Sequence, residues 1–268
     1  MVINMSEITD AFKNALGGKA FIPFITGGDP DMETSEKLII AMSEAGADII
    51  EIGLAFSDPI AEGPVIQEAS LRANLAGATT DRLFDMIASV SRKISTPLII
   101  MTYINPVFTY GVEKFLKRCN ECGVKGLIVP DLPYEEKHEI SDSCSAHGVD
   151  FISMIAPTSK ERIKMIAREA EGFIYCVSSM GVTGMRSEIN TDISGMVETV
   201  REVSSIPCAI GFGISNPAQA GKMANVSDGA IVGSAIVKII AEKGRDSVPA
   251  VSAFVKEMKH ACSGHAGG

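Results

Sequence analysis

Short apolar runs alternate with longer amphipathic stretches along almost the whole chain. The runs cover residues 21–26, 47–53, 97–104, 126–129, 149–156, 173–178, 208–213 and 229–232, and their continuously apolar, β-branched character is that of strands covered on both faces. The intervening stretches have helical spacing. Residues 31–45 place Leu38, Ile39 and Met42 on one face, and residues 159–170 do the same with Ile163, Ile166 and Ala167. Gly46, Gly123 and Gly148 each stand between a helical stretch and the next run, where a helix C-terminus accepts a left-handed residue at little cost. Helix starts are marked by Asp29-Pro30, by Thr158-Ser159, and by Ser215-Asn216 before Pro217. The connection from 67 to 93 is long enough for two helices, and residues 112–123 read as another.

Eight strand-helix repeats without a break in composition predict an α/β fold, a single (β/α)8 TIM barrel domain over residues 1–268, with 263–268 a disordered tail. An open doubly wound sheet is the alternative. It is disfavoured because no Gly-x-Gly-x-x-Gly follows the first run.

Composition narrows the function. The 268 residues are 46% hydrophobic, enough for a sizeable core, and carry 24 basic against 33 acidic side chains for a net charge of −9. No Lys/Arg-rich run stands out, which argues against nucleic acid as a partner. No apolar stretch reaches the ~18 residues of a membrane helix, and the first ten residues lack the basic-then-apolar pattern of a leader, so a cytoplasmic location is expected. The six cysteines, at 119, 122, 144, 176, 208 and 262, are read as reduced. Cys119 and Cys122 have metal-site spacing but no second pair, and on a helix both would face the strands, so no metal is expected. His138, His147, His260 and His265 fall on helical stretches or the tail, away from strand ends.

In a parallel barrel the chemistry gathers at the C-terminal ends of the strands. Glu51 interrupts the second apolar run just before the segment Gly53-Leu54-Ala55-Phe56-Ser57-Asp58-Pro59-Ile60-Ala61-Glu62-Gly63-Pro64. A carboxylate there costs several kcal/mol unless it is paired, hydrogen-bonded or neutral. It is therefore either a functional acid or a structural one tied to backbone amides or an arginine. Glu62 supplies a second acid from a weakly charged loop. Tyr103, Asn105, Asp131 and Tyr175 also fall at strand ends, although Asp131, in Val129-Pro130-Asp131-Leu132-Pro133, could simply accept turn amides. Three glycine turns follow the last three runs: Gly181-Val182-Thr183-Gly184, Gly211-Phe212-Gly213-Ile214-Ser215 and Gly233-Ser234-Ala235. Glycines let backbone N–H groups approach an anion, and a helix N-terminus adds partial positive charge, so a phosphate site is expected here. Residues 180–192 form a long polar connection, either a closing lid or a solvated loop.

Together with Phe21-Ile22-Pro23-Phe24-Ile25-Thr26-Gly27-Gly28-Asp29-Pro30, the stretch from Glu51 to Pro64 and the turns at 181–184 and 211–215 resemble, in order and spacing, the signatures of the tryptophan synthase alpha chain family. The resemblance covers about residues 8 to 245. It implies a lyase that cleaves indole-3-glycerol phosphate to indole and glyceraldehyde 3-phosphate by retro-aldol chemistry, with no cofactor of its own. By the same resemblance Glu51 is the general acid/base and Glu62 holds the indole N–H. Phe24 and Tyr175 line the pocket, and Thr183, Gly184, Gly213, Gly233 and Ser234 belong to the substrate and phosphate site. The family works as an α2β2 complex whose beta chain carries pyridoxal phosphate, and Asp58, Asn105, Phe108 and Pro133 fall on the surface facing it. Two positions depart from the family pattern: Glu62 replaces an aspartate, and Ala55 stands where proline is usual. Another phosphate-binding barrel enzyme, or a ligand-sensing activator with weakened catalysis, are the competing expectations.

Overall fold

The computed structural model describes residues 6–177, 193–211 and 213–264. Nine strand segments, β1 (Ala20–Gly27), β2 (Ile50–Leu54), β3 (Leu98–Met101), β4 (Val124–Ile128), β5 (Asp150–Phe151), β6 (Ser153–Ile155), β7 (Ile174–Val177), β8 (Cys208–Gly211) and β9 (Gly229–Val232), form one parallel sheet in the order β5-β4-β3-β2-β1-β9-β8-β7-β6. The two ends of that order, β5 and β6, are halves of one run broken at Ile152, whose N–H still donates to the Leu127 carbonyl at 2.9 Å. The sheet therefore closes on itself, and the nine segments make the eight staves of a (β/α)8 barrel. Around it lie α1 (Glu7–Asn14), α2 (Met32–Glu44), α3 (Pro64–Leu75), α4 (Thr80–Val90), α5 (Ile104–Tyr110), α6 (Val112–Cys122), α7 (Ser141–Ala146), α8 (Lys160–Arg168), α9 (Ile193–Arg201), α10 (Pro217–Val226), α11 (Ser234–Lys243) and α12 (Val248–Cys262).

Local chemistry explains most boundaries. The Ser159 side chain accepts the Arg162 N–H at the start of α8, and Asn216 accepts that of Gln219 ahead of Pro217 in α10. Gly46, Gly123 and Gly148 all take positive φ, at 98°, 82° and 68°. The long connection after β2 does hold two helices, α3 and α4. Three expectations change. The helix after β1 starts at Met32, capped by Asp31, which accepts the Thr34 N–H at 2.8 Å; Asp29 is instead committed to Arg72. The second run becomes strand only at Ile50, because Asp48 lends its carboxylate to the Phe21 N–H and to Lys259. The third ends at Met101, since Asp131 accepts the Ile104 N–H at 3.0 Å and so starts α5 there.

Each strand serves two cores, as the period of two requires. Phe21, Ile25, Ile50, Ile52, Leu98 and Ile100 point outward and pack under the helices against Leu38, Ile39, Met42, Phe84 and Ile87. Ile22, Ile49, Ile99, Ile128, Phe173, Ala209 and Ile231 share the lumen. Apolar runs without alternation follow directly from this double burial. All six cysteines are buried and free, Cys119 and Cys122 among the outer-layer contacts of α6.

The lumen is closed at its N-terminal end by α1, a helix absent from the expectations above, although Ile8, Ala11, Phe12 and Ala15 carry its spacing. Ser6 caps it by accepting the Thr9 N–H. Ile8 and Phe12 join the lumen cluster, and the Phe12 ring lies 5.5 Å from that of Phe173. Phe12→Ala is expected to lower the unfolding free energy by about 3–5 kcal/mol, measured by urea denaturation, while leaving the opposite end of the barrel unchanged.

Candidate active site

At the C-terminal ends of the strands the lumen residues stop being uniformly apolar and the barrel opens into a cleft of about 610 Å³, counting the space that opens to solvent. The ladder sets its floor. Phe24 on β1 is paired in register with Glu51 on β2, and Glu51 with Ile99 on β3, so Glu51 lies at one level with lumen residues on either side. Gly53, two residues on, leaves room for the Phe24 ring: a Cβ there would sit 2.7 Å from its Cζ. Gly211 does the same for Tyr175, whose hydroxyl lies 2.3 Å from where a Cβ would be. Gly211, expected to belong to an anion turn, is thus a strand residue that makes space for a tyrosine.

Glu51 is 1% exposed, and its Oε2 has no hydrogen-bond partner among the described residues. A purely structural carboxylate would be tied to amides or to an arginine. Burial pushes the Glu51 carboxyl up from its ordinary 4.5 to about 8, and the charge of Glu62 adds to the rise. It therefore carries its proton at neutral pH. Tyr175, buried beside both acids, is pushed well above the usual phenol range by burial and then by their charges.

Glu62 reaches the cleft from the loop between β2 and α3, which is held at consecutive residues. The Tyr103 hydroxyl accepts the Ala61 N–H at 2.9 Å, and Gln67 Nε2 donates to the Glu62 carbonyl at 2.8 Å. The Tyr103 ring packs on Phe56 at 5.3 Å. Tyr103, expected among the strand-end candidates, fixes this loop and lies behind the cleft. Asp131 likewise serves as an amide acceptor for α5.

Gly213, Gly233 and Ser234 also line the cleft, Gly213 with φ at 78° and Gly233 as the residue preceding α11, beside Phe24. The Ile236 and Val237 amides close onto the Gly233 carbonyl, leaving the first amides of α11 to point into this corner as a helix N-terminus does. Phe24, Ile66 and Met101 supply an apolar slot between the two ends. Of the expected site residues the structure thus brings together Phe24, Glu51, Glu62, Tyr175, Gly213, Gly233 and Ser234. Thr183 and Gly184, with the whole connection 180–192, lie outside the described residues, as do Phe212, His265 and the tail from 265 on. Asp58, Asn105, Phe108 and Pro133 do not enter the cleft; they are exposed on loops and a helix following β2, β3 and β4, around the same end of the barrel. Met101, Met154, Pro130 and Ile66 also line the cleft and were not anticipated. For Met101 and Met154 the alternation along the strands was the available signal.

Comparison with known proteins agrees with this architecture. Residues 11–263 match the family model of the tryptophan synthase alpha chain. The tryptophan synthase alpha chain of Lacticaseibacillus casei is 46% identical over 255 residues, 95% of each chain. A chain from Mycobacterium tuberculosis tryptophan synthase superposes with a TM-score of 0.88 at 32% identity, covering 96% of this chain and 98% of that one. The tryptophan synthase subunit alpha of Legionella pneumophila gives 0.87 at 33% identity over 96% and 98%.

The raised Glu51 has a consequence for stability. Its native form holds a proton more tightly than the unfolded chain does, so stability is lost as pH rises from about 4.5 through about 8. Glu51→Gln removes the titration. Urea unfolding at pH 5 and pH 9 is expected to show the variant gaining on the parent with pH, by up to about 4 kcal/mol; an offset that does not change with pH would contradict a buried, neutral Glu51.

Proposed function

The chain belongs to the tryptophan synthase alpha chain family, and on that premise we propose that Glu51 and Glu62 divide the chemistry of its reaction in the cleft at the top of the barrel. The chain is a lyase of tryptophan biosynthesis that cleaves indole-3-glycerol phosphate to indole and glyceraldehyde 3-phosphate. In the retro-aldol step a proton adds to the ring carbon that bears the side chain, leaving positive charge on the ring nitrogen. The adjacent side-chain hydroxyl then loses its proton, its carbon becomes the aldehyde, and the electrons of the broken carbon–carbon bond return to the ring. One proton enters and one leaves.

A single carboxyl that starts protonated can do both transfers, and Glu51, neutral at pH 7 by burial, has that starting state. The observation that carries the assignment is geometric: Glu51 is buried where it lines the cleft, with its Oε2 free of any hydrogen-bond partner among the described residues. Glu62, as a carboxylate, takes the ring N–H and offsets the charge that develops there. The ring lies in the apolar slot of Phe24 and Met101, and the phosphate lies on Gly213, Gly233, Ser234 and the N-terminus of α11. Since the protons balance on carboxyl groups, we assign this chain no cofactor and leave pyridoxal phosphate to the beta subunit.

Asp58, Asn105, Phe108 and Pro133 form the docking surface for that subunit in an α2β2 assembly. All four are exposed near the cleft, and Ile60 and Phe108 add apolar area there at 66% and 48% exposure. Residues 1–268 are read as a single barrel domain. No helix among the described residues is long and apolar enough to cross a membrane, in keeping with a cytoplasmic enzyme.

Indole release from indole-3-glycerol phosphate, by the chain alone and with a beta subunit, tests the assignment directly, with slow release alone and faster release in the complex expected. Glu51→Gln should abolish cleavage with substrate affinity retained, because the lost group acts in the transition state. Retained turnover would remove Glu51 as the acid/base. Glu62→Asp distinguishes a longer arm that the loop accommodates, seen as little change in kcat, from a weakened site, seen as a large gain.

A further inference from the structure

The helix that follows Glu62 is held at both ends. At its start Gln67 and Tyr103 bracket the Ala61–Glu62 segment, as described above. Two turns further along, Arg72 reaches the end of β1 and grips Asp29 with both arms of its guanidinium: Nε to Oδ1 at 2.8 Å and an Nη to Oδ2 at 2.8 Å. Asp29 is fully buried. The surrounding backbone is in close contact as well. A Cβ on Gly28 would lie 2.9 Å from the Ala78 methyl and 3.5 Å from that of Ala73, so the turn after β1 rests directly on the end of α3. The same turn is tied to α2, since Ser35 Oγ accepts the Gly28 N–H.

Asp29 is buried and Arg72 is partly exposed, and such a pair is a poor device for stability alone, because desolvation of the buried carboxylate offsets much of the attraction. Its distinctive property is geometric, since a planar fork on a carboxylate fixes both distance and direction. That property has a use here. Glu51 and Glu62 face one cleft, Glu51 fixed on a strand and Glu62 carried by a loop, so the separation of the two groups depends on what holds that loop and the helix after it. β1, which leads directly into the turn that holds Asp29, carries Phe24, and Ile66 and Ala69 of α3 pack in one cluster with Phe24.

We infer that the Asp29–Arg72 pair is a positioning device for Glu62: by locking α3 to the end of β1, it holds the Glu62 carboxylate at a set separation from Glu51 and from the ring slot on Phe24. Neither residue touches substrate. Both act through α3.

Because this role presupposes the assignment of Glu62 made above, the test has one readout that needs turnover and one that does not. Arg72→Lys keeps the charge and loses the fork, and Asp29→Asn, measured in parallel, keeps hydrogen-bonding atoms and loses the charge. In variants whose circular dichroism matches the parent, kcat for cleavage in the complex with the beta subunit is expected to fall about ten- to a hundredfold with KM nearly unchanged. In a Glu62→Gln background the same substitutions should cost no more, because the group they position is already gone. On the isolated chain, carbon-13 NMR of the Glu51 carboxyl should show its titration moving to lower pH by about half a pH unit or more, as Glu62 relaxes away. Tyr175, the other titratable group beside Glu51, stays neutral throughout and does not contribute.

A Glu51 titration that does not move in a folded variant would overturn the inference. So would a loss of kcat that is equally large in the Glu62→Gln background. If the parent failed to cleave the substrate at all, the lyase assignment would fall, and the Glu51 titration would still decide for or against the positioning role.

Discussion

A closed parallel barrel offers each strand residue only two destinations, the lumen or the layer beneath the helices, and the site follows from that restriction. Because β1, β2 and β3 are paired so that Phe24, Glu51 and Ile99 stand at one level, a glutamate on β2 must enter the lumen once the neighbouring residues are placed. The lumen below is filled by isoleucines, Phe173 and the α1 plug. Water therefore reaches Glu51 only from the open end, and its desolvation is a property of the whole barrel.

That desolvation is also what makes the acid useful. In water a glutamate is ionised at neutral pH and has no proton to give, whereas at the level of Phe24 the same group is neutral. Its partner is buried too, but is carried differently. Glu62 sits on a loop rather than a strand, and the precision a strand would supply comes instead from Tyr103, Gln67 and the α3 clamp. No side-chain cation lines the glycine corner of the cleft among the described residues. An anion there would rest on backbone amides and the helix terminus, which carry their partial charge at any pH.

The elements were legible because their signals are local. Runs of apolar residues, glycine after helices and Ser159 or Asn216 before them need only a few neighbours to act, and they placed the starts of α8 and α10 to within a residue. Glu51 was legible for a related reason: a charge inside an apolar run conflicts with its surroundings, and such conflicts mark sites. The failures have the same origin. Asp29-Pro30 reads as a helix start to any local rule, and it is the partner of Arg72, 43 residues away, that makes Asp29 something else. Tyr103 reads as a pocket residue until the loop 42 residues earlier is seen to rest on its hydroxyl. Gly211 reads as an anion turn until the Tyr175 ring is seen to occupy the space beside it.

What the amino-acid sequence determined by itself was the order and kind of the elements, the barrel they imply, the acids at 51 and 62, and the family. Periodicity, capping and motif spacing are all properties of a chain read a few residues at a time. What only the tertiary structure decided was which of the strand-end residues converge, that Glu51 is buried with its Oε2 unpartnered among the described residues, and how the segment carrying Glu62 is held. Those outcomes depend on contacts between residues as far apart as Asp48 and Lys259, separated by 211 positions. Such contacts exist only once the sheet has closed, when strand register and burial place side chains together that no local pattern relates.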